Sequence, residues 1–316
     1  MKKILITGGT GFLGRALARK LKEQHHVILC GRNNYLNERV RKVLNCEVIP
    51  MDITNMDAVR ETLSLTKPDV IIHAAATKYV HLAEQFPNEC LDINIKGSQN
   101  IARAAIEQNV ETVIGISTDK ASAQTNSFYG LSKRVMEKLF LLMNDDTKTK
   151  FACVRFGNIA WSTGSVFPIW EKMLKENNNL IETTGAHMRR FIFSLDDAAK
   201  LVENCLIHIE HTKGKILCPE MKTVHMQDAL DCFIELNGGN YKKIPARAGE
   251  SIDEVMIDSY EVKSTSKIEL GGESFFLVHN HTVENPIAEF VSTKNQENLD
   301  SSSLKKLLTF ETDNIF

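Results

Sequence analysis

Short apolar runs alternate along the first half of the chain with longer stretches in which apolar residues recur every three or four positions. The runs are KILIT (3–7), HVILC (26–30), EVIP (47–50), DVIIH (69–73), TVIGIS (112–117) and FACVRF (151–156). Runs of this length predict buried strands, and the stretches between them, such as GRALARKLKE, have the periodicity of amphipathic helices. The alternation predicts an α/β fold, a doubly wound parallel sheet with ligands at the carboxyl ends of its strands.

The alternation loosens after about residue 160, where strand-like runs are separated by loops rich in Gly, Asn and Lys. We expect residues 1–160, completed by parts of 190–220, to form the first domain. Residues 161–287 are expected to form a smaller, discontinuous C-terminal lobe that binds substrate. Residues 288–316 include STKNQENLDSSS and predict a polar C-terminal tail.

Composition and charge mainly exclude certain classes of protein. The 316 residues are 43% hydrophobic and 25% charged, as in a globular protein, and the formal net charge is only −2. No global field therefore attracts nucleic acid or an anionic membrane, and no run of about 18 apolar residues predicts a membrane span. MKKILITGG predicts a first strand rather than a signal peptide. We expect a cytoplasmic protein that binds neither nucleic acid nor membrane.

The seven cysteines are scattered along the chain, and none forms a C-x-x-C pair. Several lie in apolar runs such as VILC and FACV. We interpret them as reduced core residues of a cytosolic protein, and we predict no metal site.

The first candidate site is the glycine loop GGTGFLG, which follows the first predicted strand and opens the first predicted helix. Gly8 permits a tight turn, Gly11 lets the backbone approach a pyrophosphate, and Gly14 lets helix and strand pack closely. The diphosphate of a nicotinamide dinucleotide would then rest on amides at the helix N-terminus. The other predicted cofactor contacts of this loop are Thr10, Phe12 and Leu13.

The end of the second predicted strand distinguishes NAD from NADP. An acidic residue there would bind the ribose 2′-hydroxyl, but this chain has Arg32 and Asn33, which suit a 2′-phosphate. NADP is therefore expected rather than NAD, although a solvated surface arginine is the alternative. Asp52 and Ile53 follow the third predicted strand, where they would meet the adenine, and Asp52 would equally suit a helix cap.

Small residues end the fourth predicted strand in HAAAT (73–77). A bound dinucleotide would cross the sheet at this point, where bulky side chains would clash with it. Ala74, Ala75 and Ala76 are therefore candidate cofactor contacts, and packing against a neighbouring helix is the alternative.

The second candidate site is SFYGLSKRVMEKLFLLM, a stretch with helical periodicity in which Tyr129 and Lys133 are four positions apart. These two side chains share one face of the helix. A nearby ammonium lowers the pKa of a phenol, so Tyr129 is a candidate general base for a hydroxyl. The same spacing also occurs by chance, so the pair gains weight only from the glycine loop that precedes it.

These motifs together resemble an extended short-chain dehydrogenase/reductase with a Rossmann domain. The resemblance rests on GxxGxxG near the N-terminus, YxxxK about 115 residues later and Thr118 at the end of the preceding strand, and it covers residues 1 to about 260. It implies that Thr118 helps to hold the substrate hydroxyl and that Lys133 also binds the nicotinamide ribose.

The segment STDKA (117–121) resembles UDP-N-acetylglucosamine 4,6-dehydratases in particular. Hexose 4,6-dehydratases carry an acid–base couple after the threonine, whereas epimerases of this fold carry small neutral residues. The resemblance implies that Asp119 is the acid for the C6 hydroxyl and that neutral Lys120 is the base for the C5 proton. For that role the pKa of Lys120 must fall. A surface ion pair is the alternative.

Further segments are similar to the same subfamily, among them AATKYVHLAE, DINIKGSQN, RFGNI with GSVFP, HMRRFIFSLDDA and RAGESIDEVMI. The last of these implies contacts to the uridine end of the substrate. Lys78 is expected to contact both cofactor and substrate. The substrate contacts that the resemblance implies are Lys78, Asn94, Asn158, Val166, Arg190, Arg247 and Glu250.

The implied function is that of a hydro-lyase that converts UDP-GlcNAc to a UDP-4-keto-6-deoxy-HexNAc with inversion at C5. The implied pathway is that of pseudaminic acid or a related L-sugar, and the family often forms homo-oligomers. The alternatives are a 5,6-dehydratase and a nucleotide-sugar 4-epimerase or reductase. A non-catalytic NADP-binding regulator is the alternative from another class.

Overall fold

The fold is a mixed α/β structure in a computed structural model that describes residues 1–122, 126–245 and 251–309. Its strands, in chain order, are β1 (Lys3–Thr7), β2 (His26–Gly31), β3 (Glu47–Pro50), β4 (Val70–His73), β5 (Thr112–Ile116), β6 (Lys150–Val154), β7 (Asn158–Ile159), β8 (Leu180–Thr183), β9 (Arg189–Phe193), β10 (Ile216–Pro219), β11 (Thr223–His225), β12 (Asn240–Lys243), β13 (Val255–Ile257), β14 (Thr265–Leu270), β15 (Glu273–Val278) and β16 (Val291–Ser292).

The helices flank these strands. In chain order they are α1 (Phe12–Leu21), α2 (Asn34–Leu44), α3 (Met56–Thr66), α4 (Val80–Gln85), α5 (Pro87–Cys90), α6 (Gly97–Glu107), α7 (Phe128–Asp146), α8 (Val166–Glu176), α9 (Leu195–Ile207), α10 (Ile209–Thr212), α11 (Met226–Asn237) and α12 (Ser301–Leu308). A π-helical turn, Leu91–Lys96, joins α5 to α6, and a short 3₁₀ turn, Asp119–Ala121, follows β5.

The main sheet has the strand order β14-β15-β10-β6-β5-β4-β1-β2-β3. The pairings from β3 through β10 are parallel, whereas β10–β15 and β14–β15 are antiparallel. Strand order reverses between β1 and β4, which is the crevice where doubly wound sheets bind ligands. The predicted fold class is therefore confirmed, and the glycine loop leaves β1 at this crevice.

Burial on both faces explains the apolar runs of the sequence. Every residue of β4 and β5 is buried, and helices cover the sheet on each side, with α1 against α9 and α3 against α6. Parallel strands in this position read as continuous Val, Ile and Leu runs rather than as alternating ones.

A second hydrophobic core lies outside the main sheet. It is built by α8, α11 and α12 around the aromatic side chains of Trp161, Phe167, Trp170 and Phe233. The small sheets β11-β9-β7 and β12-β8 border it. Apart from β7 and α12, these elements lie within residues 161–287, where the sequence predicts the substrate lobe.

The described part of the C-terminal segment is structured, so the prediction of a polar tail from residue 288 is wrong there. Strand β16 pairs with β13, and α12 packs against α11. Leu304 and Leu308 are buried, and the indole Nε1 of Trp161 donates a hydrogen bond to the carbonyl of Leu307 at 2.9 Å. A few apolar residues at helical spacing anchor a segment whose overall composition is polar.

Candidate active site

The glycine loop fits closely against the end of β4. Gly8 has a φ of +64°, and a Cβ there would lie 2.8 Å from Cα of Ala75. At Gly14 a Cβ would lie 2.5 Å from Cα of Gly9, so α1 can approach the loop only with glycine there. The backbone of Ala74 and Ala75 therefore lies directly against the glycine loop.

Gly11 of the loop is the N-cap of α1. A Cβ on Gly11 would contact only the carbonyl oxygen of Gly8, at 3.0 Å. The first amides of a helix have no partner within the helix, and they carry its positive dipole end. At the carboxyl end of β1 they suit a diphosphate. The residues present therefore fit a dinucleotide, with Phe12 and Leu13 opening α1 and Thr10 buried beneath the loop.

Arg15 is a residue of this site that the sequence reasoning missed. Its guanidinium is buried and donates a hydrogen bond from Nη1 to the carbonyl of Thr10 at 2.9 Å. Burial, together with the charges of Arg19 and Arg39, lowers the pKa of Arg15 to about 10. Cations gathered beside the glycine loop favour a phosphate-bearing ligand. The sequence did offer a signal for this residue, because Arg15 directly follows Gly14, the third glycine of the motif.

The residues predicted to bind the adenosine end have local structural roles. Asn33 is the N-cap of α2, since its side chain accepts a hydrogen bond from the amide of Leu36 at 3.1 Å. Arg32 is largely exposed, with Nη2 lying 3.6 Å from a carboxylate oxygen of Glu89. Asn33 therefore caps a helix in this geometry, whereas the Arg32 guanidinium remains accessible from solvent.

Asp52 and Ile53 also have local partners. Oδ1 of Asp52 accepts hydrogen bonds from both the amide and the hydroxyl of Thr54, each at 2.9 Å. Asn55, not Asp52, is the N-cap of α3. The Ile53 side chain is buried against Gly97 at the start of α6. Asp52 thus shapes the turn before α3 without capping the helix, so the capping alternative is wrong.

Asn94 is held by protein partners in this structure, and its contact with substrate stays a prediction. Its side chain is 1% exposed and lies between the chain after β4 and helix α7. Oδ1 accepts a hydrogen bond from the amide of Thr77 at 2.9 Å, and Nδ2 donates one to Oγ of Ser132 at 2.9 Å. Through these two hydrogen bonds, Asn94 connects the chain after β4 to helix α7 and supports the site.

Lys78 links the cofactor crevice to the second lobe. Its Nζ donates a hydrogen bond to the carbonyl of Thr163, three residues before Val166 opens α8. Burial and the charge of Arg15 lower the pKa of Lys78. Lys78 therefore contacts the chain just before α8, and the substrate contacts of Lys78 and the half-buried Val166 stay predictions.

Helix α7 presents the predicted tyrosine and lysine one turn apart. The helix begins after Ser127, whose hydroxyl accepts a hydrogen bond from the amide of Gly130 at 3.1 Å. Lys133 is buried, and burial lowers its pKa to about 8. Burial raises the pKa of Tyr129 to about 12, while the charge of Lys120 and the hydroxyl of Thr118 act in the opposite direction. The cation that favours the phenolate is therefore Lys120, where the sequence predicted Lys133.

Asp119 and Lys120 form a buried cluster with a residue from the far end of the chain. Nζ of Lys120 lies 3.0 Å from Oδ1 of Asp119 and 2.7 Å from Oε1 of Glu254. The hydroxyl of Thr118 donates to Oδ1 of Asp119 at 3.0 Å. Asp119 and Glu254 are 1% and 7% exposed, so neither is the surface partner that an ordinary ion pair would need. We call Asp119, Lys120 and Glu254 the proton cluster.

Two residues predicted to bind substrate converge on this cluster. Oδ1 of Asn158 accepts a hydrogen bond from Lys120 at 3.4 Å, and its Nδ2 donates one to Oε2 of Glu254 at 3.0 Å. Nε of Arg190 lies 3.4 Å from Oε1 of Glu254. Glu254 thus connects the catalytic turn to the lobe that supplies Asn158 and Arg190.

Electrostatic interactions within the cluster shift the pKa values of its two carboxyl groups in opposite directions. Burial and the charge of Glu254 raise the pKa of Asp119 to about 7, against the opposing charge of Lys120. Oδ2 of Asp119 has no hydrogen-bond partner among the described residues, which further suits a protonated acid. Burial also disfavours ionised Glu254, but the charges of Lys120 and Arg190 outweigh this effect and lower its pKa to about 2.

The pKa of Lys120 is raised, whereas the sequence reasoning required it to fall. Burial lowers it, but the carboxylates of Asp119 and Glu254 outweigh burial. The expectation was wrong because Glu254 is 134 positions away in sequence and could not be included. Within RAGESIDEVMI the sequence reasoning selected Arg247 and Glu250, which lie outside the described residues, and passed over Glu254.

Residues 1–122, 126–245 and 251–309 contain no group of three or more His, Cys, Asp or Glu side chains placed to hold a metal ion. They also contain no helix with the length and hydropathy needed to cross a membrane.

Known proteins resemble this chain in sequence and in structure. The family of polysaccharide biosynthesis proteins matches residues 4–271. A UDP-N-acetylglucosamine 4,6-dehydratase (inverting) from Campylobacter jejuni is 32% identical over 308 residues, which cover 95% of this chain and 87% of the relative. A UDP-glucose 4-epimerase from Rickettsia bellii is 37% identical over 213 residues, covering 64% of this chain and 61% of the relative.

Structural similarity extends over almost the whole chain. The structure of Pen from Bacillus thuringiensis superposes with a TM-score of 0.87 at 28% identity, covering 97% of this chain and 96% of that one. The family match over residues 4–271 spans both the glycine loop and the proton cluster. The chain therefore belongs to the family of polysaccharide biosynthesis proteins and has the extended short-chain dehydrogenase/reductase fold.

Proposed function

We propose that this protein is a UDP-N-acetylglucosamine 4,6-dehydratase that forms a UDP-4-keto-6-deoxy-HexNAc with inversion at C5. The observation that carries the proposal is the buried proton cluster beside Tyr129 and Lys133. A 4-epimerase needs only the tyrosine and lysine, whereas elimination of water also needs an acid and a base. The similarity to a C. jejuni protein of that name over nearly the whole chain supports the same activity.

When bound, a nicotinamide dinucleotide accepts a hydride from C4 of the sugar and returns it to C6. The loop glycines and the first amides of α1 would hold its diphosphate, with the alanines after β4 beneath it. NADP is favoured over NAD because residues 31–33 at the end of β2 are Gly, Arg and Asn, with no acid to bind a ribose 2′-hydroxyl. The cations Arg15 and Arg32 favour the additional phosphate.

Oxidation at C4 begins with proton removal from the C4 hydroxyl. Tyr129 takes that proton, and Thr118 helps to position the hydroxyl. The phenol pKa must fall for this step, and the nearby charge of Lys120 acts in that direction. Lys133, buried one turn along α7, is placed to bind the nicotinamide ribose and to add positive charge once a ligand is bound.

Elimination of water follows from the 4-keto sugar. Asp119 supplies the acid, because a carboxyl group with a pKa of about 7 retains its proton where an ordinary aspartate has lost it. It protonates the C6 hydroxyl, which leaves as water. Lys120 takes the C5 proton, which the C4 ketone acidifies, and later releases it to solvent. A solvent-derived proton that reaches C5 on the opposite face gives the inverted product.

The second lobe is proposed to hold the nucleotide. Arg190 and Lys78 offer cations for the diphosphate, and Asn158 and Val166 line the path to the sugar. Arg247 and Glu250 are proposed to contact the uridine end.

We also propose that the enzyme acts in the cytoplasm as a homo-oligomer, in a pathway to pseudaminic acid or a related L-sugar.

Two related activities are separated from this one by their products. A 5,6-dehydratase would stop at the 5,6-ene, and a 4-epimerase would return the hydride to C4, as the R. bellii relative's name suggests for that protein. A non-catalytic NADP-binding regulator would have no use for a buried acid with a raised pKa.

The test is incubation of purified protein with UDP-GlcNAc and NADP in D₂O, followed by proton NMR. We expect a 4-keto-6-deoxy product with deuterium at C5. Recovery of unlabelled substrate, or of the C4 epimer alone, would exclude the dehydratase activity. Lys120→Ala is expected to retain NADP binding and to lose C5 exchange.

A further inference from the structure

His73 is a fully buried histidine to which the proposed mechanism gives no part. It ends β4, where it pairs with Thr7 at the end of β1. Its Nδ1 lies 2.8 Å from Oγ1 of Thr7, and its Nε2 lies 3.0 Å from Oγ of Ser98 on α6. Both imidazole nitrogens thus have a hydroxyl partner, and the groups beyond those hydroxyls decide which nitrogen carries the proton.

The hydroxyl of Ser98 fixes the proton on Nε2 of His73. Ser98 has one hydroxyl proton, and it donates this proton to the backbone carbonyl of Asn94, which can only accept. Nε2 therefore carries a hydrogen and donates it to Oγ of Ser98. Burial and the charge of Lys133 lower the pKa of His73 to about 3, so the imidazole is neutral. Nδ1 then accepts a hydrogen bond from the hydroxyl of Thr7.

The hydrogen bonds of His73 continue to both ends of the chain segment that follows β4. Oγ1 of Thr7 accepts a hydrogen bond from the amide of Ala75 at 3.2 Å. Oδ1 of Asn94 accepts one from the amide of Thr77 at 2.9 Å. His73 therefore joins, through two hydroxyls, the two residues that hold this segment. We call the set the His73 network, and its members are Ala75, Thr7, His73, Ser98, Asn94 and Thr77.

The His73 network holds a stretch of backbone between the glycine loop and helix α7. On the side of the loop, a Cβ on Gly8 would lie only 2.8 Å from Cα of Ala75, so the two chains are in close contact. On the side of α7, Nδ2 of Asn94 donates to Oγ of Ser132 at 2.9 Å, and that hydroxyl donates to the carbonyl of Tyr129 at 2.7 Å. A dinucleotide held by the loop would therefore meet a backbone that is tied to the helix carrying Tyr129.

We propose that His73 is a positioning residue for the dinucleotide, because its neutral Nε2–H imidazole holds residues 75–77 against the glycine loop. The inference rests on the proposed cofactor site. Imidazole suits this place because it offers an acceptor and a donor in one rigid ring. An apolar side chain of similar size would leave the hydroxyls of Thr7 and Ser98 without a bridge. Residues 75–77 would lie beneath the diphosphate, which NAD and NADP share, so the network supports the binding of both dinucleotides alike.

The first test observes the imidazole directly, in protein without cofactor. Long-range ¹⁵N–¹H correlation spectra of ¹⁵N-histidine-labelled protein distinguish a protonated ring nitrogen from an unprotonated one. His73→Gln assigns the signals of His73 among those of the ten histidines. We expect a protonated Nε2 and an unprotonated Nδ1 at pH 7. A protonated Nδ1, whether in the other tautomer, in exchange between tautomers or in the cation, would overturn the proposal.

The second test removes one hydrogen bond of the network and restores it. Thr7→Val keeps the branched shape of Thr7 but has no hydroxyl, whereas Thr7→Ser keeps the hydroxyl. The control is Thr66→Val, because Thr66 is a buried threonine on α3 whose hydroxyl donates to the carbonyl of Thr62 in the same helix. Isothermal titration calorimetry with NAD and with NADP measures the affinity of each variant.

We expect Thr7→Val to weaken the binding of both dinucleotides about tenfold, and Thr7→Ser to stay within about threefold of the wild-type affinity. Unchanged affinity in Thr7→Val, a loss that Thr7→Ser does not recover, or an equal loss in Thr66→Val would overturn the proposal. A loss for NADP alone would also overturn it. Failure of the wild-type protein to bind either dinucleotide would instead reject the proposed cofactor site, and the positioning role with it.

A double variant tests whether His73 is the bridge between the two hydroxyls. Thr7→Val and Ser98→Ala each interrupt the path through His73, from opposite sides. We therefore expect the double variant to bind NADP about as weakly as Thr7→Val alone. Two independent contacts would instead give losses that multiply, and that result would overturn the role of His73.

Discussion

Arg155, which directly follows β6, and Glu137 on α7 form a fully buried bidentate ion pair, with Nε to Oε1 at 2.9 Å and Nη2 to Oε2 at 2.7 Å. The same guanidinium binds both carboxylate oxygens of Glu261 at 2.8 Å and the carbonyl of Met256 at 2.8 Å. Glu137 lies one turn beyond Lys133, and Met256 lies two residues beyond Glu254. One arginine therefore ties the catalytic helix to the segment that carries Glu254.

Replacement of Arg155 by leucine should lower the free energy of unfolding by about 3–5 kcal/mol, because two carboxylates remain buried without their partner. Chemical denaturation monitored by circular dichroism measures the change. Lys200→Ala, which removes an exposed ion pair with Glu273, is the control and should leave the denaturation midpoint almost unchanged. Equal effects of the two substitutions would contradict this assignment.

The activity of the enzyme should fall as pH rises through about 7. Asp119 donates a proton only when it is protonated, and its pKa is about 7, so the acid form is lost above that value. Asp119→Asn should reduce kcat by about 10²–10⁴-fold and remove this limb of the pH profile. Steady-state kinetics between pH 5.5 and 9 test both points. An unchanged alkaline limb in the asparagine variant would assign the acid elsewhere.

Cofactor choice should depend on the arginines near the glycine loop. Arg32→Ala should weaken NADP binding about tenfold or more, since it removes a charge-assisted contact to the 2′-phosphate, and should leave NAD binding nearly unchanged. Isothermal titration calorimetry with each dinucleotide measures the ratio. The control is Arg60→Ala, because Arg60 is an exposed arginine on α3 that pairs with Glu107 on α6. Parallel losses for NAD and NADP would contradict recognition of the 2′-phosphate.

The C-terminal helix should contribute to stability. Leu308 is 3% exposed, so Leu308→Ala should cost about 2–5 kcal/mol through lost burial and the cavity left behind. Thermal denaturation measures it, with Lys306→Ala on the same helix as a control. If Leu308→Ala has no effect, this segment is not anchored to the second core.

The sequence by itself determined the fold class and the residues of the two local motifs. Apolar runs of strand length specify buried parallel strands because both faces of the sheet are covered, and the glycine loop follows from local backbone sterics at Gly8 and Gly14. Tyr129 and Lys133 share a helix face whatever the rest of the chain does. Asp119 and Lys120 are adjacent in the chain, so their pairing also needs no tertiary information.

Only the tertiary structure decided what those residues can do with a proton. Lys120 was expected to be a neutral base, but β13 and the C-terminal segment place Glu254 against its ammonium and raise its pKa. The partners of the Asn94 amide, Thr77 and Ser132, are likewise distant from it in sequence. Charge and burial depend on neighbours that are distant in sequence, so a local pattern identifies the reacting groups without fixing their protonation.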